Sequence, residues 1–309
     1  ISYKDSVVVD ATCYESEVWY PTDQKLLWKS VEWSYHQLKK WTKQSGGLMP
    51  RTKYRKWKGR YVGYSKMRRK SRKERKALTR GLLRLLNKLN GCLDELEKAA
   101  QLDFPKRYYK RRSTICKVYE QQASKFYHGQ KIKDRIVSIE KNYLRPIVRG
   151  KEVKLVEFGA KVNKIQIDGI NFIEHISFDA FNEGTHLIKS VFKAQNLMHK
   201  RVKILGADAI YATNRNRRFV TKNSLFSDFK PKGPKHKEHK QIKKVKQAIT
   251  KERASRLEGS FGKEKEHYHL KKIKAKTRLT EILWIFVGIH TANALEIGRL
   301  MSATAKKAA

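Results

Sequence analysis

Three acidic side chains stand out by position in a chain that is otherwise strongly basic. Asp10 ends the apolar run Val7-Val8-Val9, and Asp208 follows Ile204-Leu205-Gly206-Ala207. Glu258 lies on a charged stretch of helical pattern, from Arg256 to Lys265. Carboxylates brought together by folding can hold Mg²⁺, and two such ions can drive phosphoryl transfer. Each acid also has a plainer reading. Asp10 can simply terminate a strand, Asp208 can cap a turn, and Glu258 can pair with Lys263 or Arg253 on a solvated helix.

Composition narrows the partners. The 309 residues carry 71 Lys and Arg against 29 Asp and Glu, a formal net charge of +42. Such an excess favours a polyanion, because every neutralised phosphate releases condensed counterions. Ribosomal proteins, histone-like proteins and DNA enzymes all satisfy that condition. A hydrophobic content of 39% is enough for a real core, so a wholly disordered chain is excluded. Cys13, Cys92 and Cys116 share no metal-ligand spacing and fit a reduced cytosol. The longest apolar run, Ile282 to Ile289, is too short to span a bilayer. The chain opens on Ile1 and enters a strand almost at once, so a fragment lacking an N-terminal segment is expected.

The elements that must position the acids follow from periodicity. An opening strand is predicted over about residues 3–11. A second apolar alternation begins near Val156 and is interrupted by Asp168-Gly169, a strong hairpin signal because the tight turn needs positive φ. Leu187, Ile188, Val191, Phe192, Leu197 and Met198 mark an amphipathic helix, and a strand from Arg201 to Gly206 then delivers Asp208. Three strands, a helix and a fourth strand, with acids after the first and fourth, describe an α/β, ribonuclease-H-like core. The alternative is a generic α/β domain. The Glu258 helix is expected to cross the sheet, and the apolar segment Ile282–Ile297 to lie beneath it as core.

A long, mostly helical insertion separates the first strand from the hairpin. Leu82, Leu89 and Leu96 recur every seven residues, which suits a bundle helix, with Lys106–Phe126 as an antiparallel partner. The domain division expected is 1–13 for the first core strand, 14–150 for the basic insertion, 151–300 for the rest of the core and 301–309 for a tail. From Arg51 to Arg80 the insertion holds fifteen Lys or Arg, with Tyr54, Trp57, Tyr61 and Tyr64 interleaved. Basic residues track a phosphate backbone, and aromatics stack on bases or pack beneath the charges. Lys53, Arg55, Lys56, Trp57 and Lys58 are therefore candidate DNA contacts. Lys230–Lys251, with nine lysines and Pro231, Gly233 and Pro234 at its start, reads as a mobile basic loop. His236, His239, His267 and His269 have no Cys partner at ligand spacing, so a zinc site is rejected. No Gly-rich nucleotide loop is present.

Glu258-Gly259, then Phe261-Gly262 and Lys265, resembles the catalytic Glu helix of DDE transposases from bacterial insertion sequences. The similarity is to the branch with a Tyr-Arg-Glu-Lys signature. Glu258 is preferred over Glu252, Glu264 and Glu266 because Gly259 and Lys265 match only in that register. Arg253 or Arg256 would serve as the Arg, though neither has the family's usual three-residue gap before the Glu, and no convincing Tyr lies upstream. Gly206-Ala207-Asp208-Ala209-Ile210-Tyr211, continuing to Asn214-Arg215-Asn216-Arg217, is similar to the second-Asp strand. Val9-Asp10-Ala11-Thr12 resembles the first-Asp strand, while Arg145–Lys151 and Val156–Lys161 resemble other family stretches.

The resemblance covers about residues 5–295. It implies a ribonuclease-H-like core in which Asp10, Asp208 and Glu258 are catalytic and hold two Mg²⁺ or Mn²⁺ ions. The implied activity is cleavage at transposon ends followed by strand transfer into target DNA. Arg253, Arg256, Lys265 and Arg217 join the candidate DNA contacts. The implied setting is a homodimer in a synaptic complex with DNA, in bacterial cytoplasm at the nucleoid, with no membrane. A DNA-binding relic without catalysis and a related nuclease are the competing expectations.

Overall fold

Asp168 and Gly169 both adopt positive φ (+48° and +83°), making the tight reversal that their dipeptide demands. That turn joins β3 (Val156–Ile167) to β4 (Ile170–Ser177), two antiparallel strands of the larger of two units. A computed structural model describes residues 5–99, 102–148, 155–230, 232 and 240–308. One unit comprises residues 1–17 and 146–309, the other residues 18–145.

The first unit is a mixed α/β structure. Its sheet runs β2 (Pro146–Val148), β3, β1 (Ser6–Ser16), β5 (Ile204–Ala207), β6 (Phe226–Ser227). The β4 strand extends it beside β3, and β7 (Lys272–Ile273) pairs with the far end of β1. β3 is antiparallel to β1, whereas β5 runs parallel to β1 and β6 parallel to β5. Successive β1 side chains alternate between faces. Val7 and Val9 pack with Leu187, Val191 and Ala194 of α5 (Leu187–Met198) on one side. Val8 packs on the other with Leu257 and Phe261.

The chain after β5 passes through α6 (Asn214–Lys222), β6 and α7 (Lys240–Glu252). A π-helical turn, Arg253–Glu258, leads without a break into α8 (Gly259–His267). Residues 240–251 are therefore helix where a mobile loop is expected from sequence: alternating Ile and Val with lysines is an amphipathic pattern, and Ile249 is buried. Pro231, Gly233, Pro234, His236 and His239 lie outside the described residues.

The last helix, α9 (Arg278–Ala308), corrects a second expectation. Only a stripe through Glu281, Ile285, Ile289 and Asn293 is buried, while Leu279, Leu283, Val287, Leu295 and Met301 are exposed. An apolar run reads as core from sequence, but one narrow face meets β4 and α8. Among the described residues no helix is long and apolar enough to cross a membrane.

The second unit is helical: α1 (Asp23–Gln44), α2 (Tyr54–Lys66), α3 (Arg72–Ala99) and α4 (Lys106–His128). The leucines of α3, from Leu78 to Leu93, pack against Leu27, Val31 and Leu38 of α1 and Ile115 of α4. Buried Arg112 of α4 binds Asn90 and Asp94 of α3, at 2.8 Å and 2.6 Å. The leucine repeat is thus spent inside this unit.

Candidate active site

Asp10 sits on the β1 face that the segment 257–265 covers. Two residues on, Thr12 Oγ1 accepts a hydrogen bond from Lys265 Nζ at 3.0 Å, and two further, Tyr14 donates to Glu264. Asp10 itself accepts the Ala11 N–H at 2.8 Å. Its carboxyl is pushed up to about 6, first by burial and then by the carboxylates of Glu183 and Asp208. The Ala11 N–H and the Arg253 guanidinium oppose that rise.

Parallel pairing brings the second acid alongside. Val9 is in register with Ala207, so Asp10 and Asp208 are the next residues on two neighbouring strands. Asp208 then opens a short 3₁₀ turn, accepting the Ala209 N–H at 2.6 Å. Asn216 Nδ2 fixes this loop by donating to Tyr211 O at 2.8 Å and Gly184 O at 2.6 Å.

The third acid arrives through the π-helical turn. Arg253 Nη1 lies 3.6 Å from Asp208 Oδ1 and 3.6 Å from Glu258 Oε1, while Nε lies 4.0 Å from Asp228 Oδ2. A gap of three residues between Arg and Glu would align them as i and i+4 on an α-helix. Here four residues intervene, and the wider π turn brings i and i+5 back to one side. The same geometry decides between the two arginines. Arg256 points elsewhere, to Glu252 at 2.9 Å and Asp168 at 3.9 Å.

Beneath α8 lies a buried polar anchor. Lys164 Nζ donates to both Glu264 carboxylate oxygens, at 2.7 Å and 2.8 Å, and neither side chain is exposed. Asn171 Nδ2 also donates to Glu264, at 3.1 Å. Asn293 of α9 exchanges two hydrogen bonds with the Asn171 backbone, at 2.9 Å and 2.7 Å. Burial pulls Lys164 down to about 8, against the Glu264 carboxylate. Lys164 stands opposite Asp10 in the β1–β3 register, so this anchor fixes α8 beside the acid.

Several of these residues have no clear mark in the sequence. Asp228 follows β6 as Asp208 follows β5, accepts the Ala207 N–H at 3.2 Å and is raised chiefly by burial. A two-residue strand gives no readable alternation, so that acid was hidden. Glu183 is buried against Lys161 at 2.7 Å and belongs to a 3₁₀ turn without periodic signal. Asn293, for which the sequence suggests no role, locks α9 to the hairpin.

Other expected contacts are spread out. Arg217 Nε donates to Ala212 O at 3.0 Å, and its guanidinium lies 5.7 Å from the Phe229 ring centre. In the helical unit, Lys53, Arg55, Lys56 and Lys58 are exposed. Trp57 is half-buried, with its indole packed on α3. A Cβ on Gly81 would lie 1.7 Å from its ring, which shows that the indole occupies that seat on α3. Tyr54 and Tyr64 are buried, and Tyr61 stacks on Trp28 at 5.0 Å. Tyr54 and Tyr64 are core, while Trp57 and Tyr61 are half-buried against it.

Oxygen donors of this kind suit a hard divalent cation, and a cation would favour the ionised Asp10 that burial, and then the Glu183 and Asp208 carboxylates, disfavour. As the side chains stand, no group of three or more His, Cys, Asp or Glu among the described residues could hold a metal ion. The donor chemistry fits, and the Arg253 guanidinium lies 3.6 Å from both Asp208 and Glu258.

Residues 205–290 match the transposase DDE domain family. Over that segment the chain is similar to transposase DDE domains. The matched segment holds Asp208, Arg253 and Glu258, and β1 with Asp10 lies outside it. The similarity is to the DDE domain family and singles out no branch within it. No curated protein and no solved structure matches the chain.

Proposed function

We propose that this protein is a DNA transposase of the insertion-sequence type, with Asp10, Asp208 and Glu258 as its catalytic acids. The observation that carries this reading is the meeting of Asp208 and Glu258 across Arg253, with Asp10 in register beside Asp208. A ribonuclease-H-like reading of the core is supported by strand order and direction, β4-β3-β1-β5-β6 with only β3 reversed relative to its β1 neighbour.

In this mechanism Asp10, Asp208 and Glu258 would hold two Mg²⁺ or Mn²⁺ ions. When bound, these ions supply an activated water or 3′-hydroxyl and stabilise the leaving oxygen. The chain's own contribution is placement. Parallel strands fix two acids, the π turn presents the third, and the Lys164–Glu264 anchor holds α8 down. Arg253 and Lys265 would contact the DNA phosphates beside the acids. The exposed lysines and arginines of α2, in the helical unit, would supply phosphate contacts of their own. Pairing of element ends by a homodimer, and a nucleoid location in the cytoplasm, belong to this proposal.

A second reading, a DNA-binding relic without catalysis, follows if the Arg253 guanidinium stays beside Asp208 and Glu258 and keeps metal from them. The experiment is Mg²⁺- or Mn²⁺-dependent nicking of DNA carrying candidate element ends, with Asp208→Asn for comparison. Cleavage lost in Asp208→Asn, with joined products from the parent, supports transposition. DNA binding without cleavage by the parent supports the relic.

A further inference from the structure

The guanidinium of Arg253 is in an unusual position for a structural arginine. It is 17% exposed, it lies among three carboxylates at 3.6 to 4.0 Å, and its buried Nε has no hydrogen-bond partner. Arg112, whose buried Nε likewise has no partner, is nevertheless bound more closely through its other nitrogens. Arg112 reaches Asn90 at 2.8 Å and Asp94 at 2.6 Å. Arg253 therefore contributes charge to the acids without forming the bidentate hydrogen bonds that would fix it there. Asp208 and Glu258 are about half exposed, at 53% and 51%, so solvent screens each pair and the contact exchanges easily.

We propose that Arg253 is a resident counter-cation, which neutralises Asp208 and Glu258 until a divalent ion takes the acids and a DNA phosphate takes the arginine. This rests on the catalytic reading of those acids and adds a consequence to it. One positive charge cannot serve both the carboxylates and a phosphate. DNA that draws Arg253 away frees the acids for metal, and metal that occupies the acids frees Arg253 for DNA. By linkage, each ligand must raise the affinity of the other by the same factor. The π turn supplies the means, because its wider register sets Arg253 beside Glu258 on a short, irregular segment.

The test is Mn²⁺ binding to the full chain without DNA, followed by electron paramagnetic resonance of the free ion, for the parent, Arg253→Gln and Asp208→Asn. Arg253→Gln is expected to bind Mn²⁺ about five- to tenfold more tightly than the parent, the lower range of typical coupling. Asp208→Asn should bind it more weakly. In parallel, Ca²⁺ should tighten binding of a labelled duplex to the parent and have little such effect on Arg253→Gln. Arg253→Lys, which keeps charge but not the planar fork, should fall between and serves if Arg253→Gln does not fold. Equal or weaker Mn²⁺ binding by Arg253→Gln, alongside loss in Asp208→Asn, overturns the counter-cation alone. Parent-like Mn²⁺ binding by Asp208→Asn overturns the catalytic reading as well.

Discussion

Arg253 and Glu258 face each other at 3.6 Å although four residues separate them, because the chain between them winds as a π turn rather than an α turn. The extra residue that spoils the motif in sequence is absorbed by the wider turn in space. Arg256, one helical turn nearer in sequence terms, is committed to Glu252 and Asp168 instead.

The two arginines should therefore separate cleanly in function. Arg253→Ala is expected to lower metal-dependent nicking by about 10²-fold, the scale of losing one preorganised donor at a charged reaction centre. Arg256→Ala should stay within about threefold, since removing an exposed ion pair changes little. Nicking rates on one end-containing duplex decide it, and equal losses from both would sink the assignment.

Asp10 links the site to stability. Its carboxyl titrates at about 6 in the folded chain against 3.8 for an unhindered group. The folded state thus binds the proton more tightly than the unfolded state. Its stabilising effect is complete below about pH 4 and is lost as pH rises through 6. Above that, ionised Asp10 opposes folding by at most about 3 kcal/mol. Asp10→Asn should accordingly be inactive yet more stable than the parent at pH 7.5, with the gap closing near pH 4. Urea unfolding at the two pH values checks this, and a destabilised Asp10→Asn at pH 7.5 would contradict it.

The buried anchor makes an opposite prediction. Glu264→Leu strands the Lys164 ammonium in the core, and breaking such a pair typically costs about 3–5 kcal/mol. The double variant Lys164→Met with Glu264→Leu removes both charges and should recover most of that loss. Urea midpoints of the three proteins are the readout. A double variant no better than Glu264→Leu would mean that the Tyr14 and Asn171 contacts to Glu264, rather than the charge pair, hold α8.

What the sequence disclosed, and what it hid, follows from the range of the interactions. The β3–β4 turn was legible because Asp168-Gly169 carries its own backbone preference. The leucines of α3 were legible because a helical repeat needs only its own helix. Lys164 and Glu264 are 100 residues apart and look like two more surface charges in a strongly basic chain. Only folding shows that they share a dry site. Asp228 was invisible because its strand has two residues. The apolar stretch in α9 misled because composition does not say which face will find a partner.

The basic stretch at α2 carries the last prediction, since charge and aromatics there have separate jobs. Lys53, Arg55, Lys56 and Lys58 point to solvent, whereas Trp57 sits on Gly81 with Arg60 stacked 5.0 Å from its ring centre. Changing the four exposed cations to Gln should leave unfolding unchanged and flatten the dependence of DNA affinity on salt, by up to about 0.9 in log–log slope for each lost phosphate contact. Trp57→Ala should instead cost about 3 kcal/mol of stability through the cavity it leaves on α3, with the salt slope retained. Fluorescence anisotropy over a salt series, beside urea unfolding, separates the two. An unchanged slope in the fourfold variant removes α2 from the DNA surface. Weaker binding by Trp57→Ala without lost stability would return the indole to the bases.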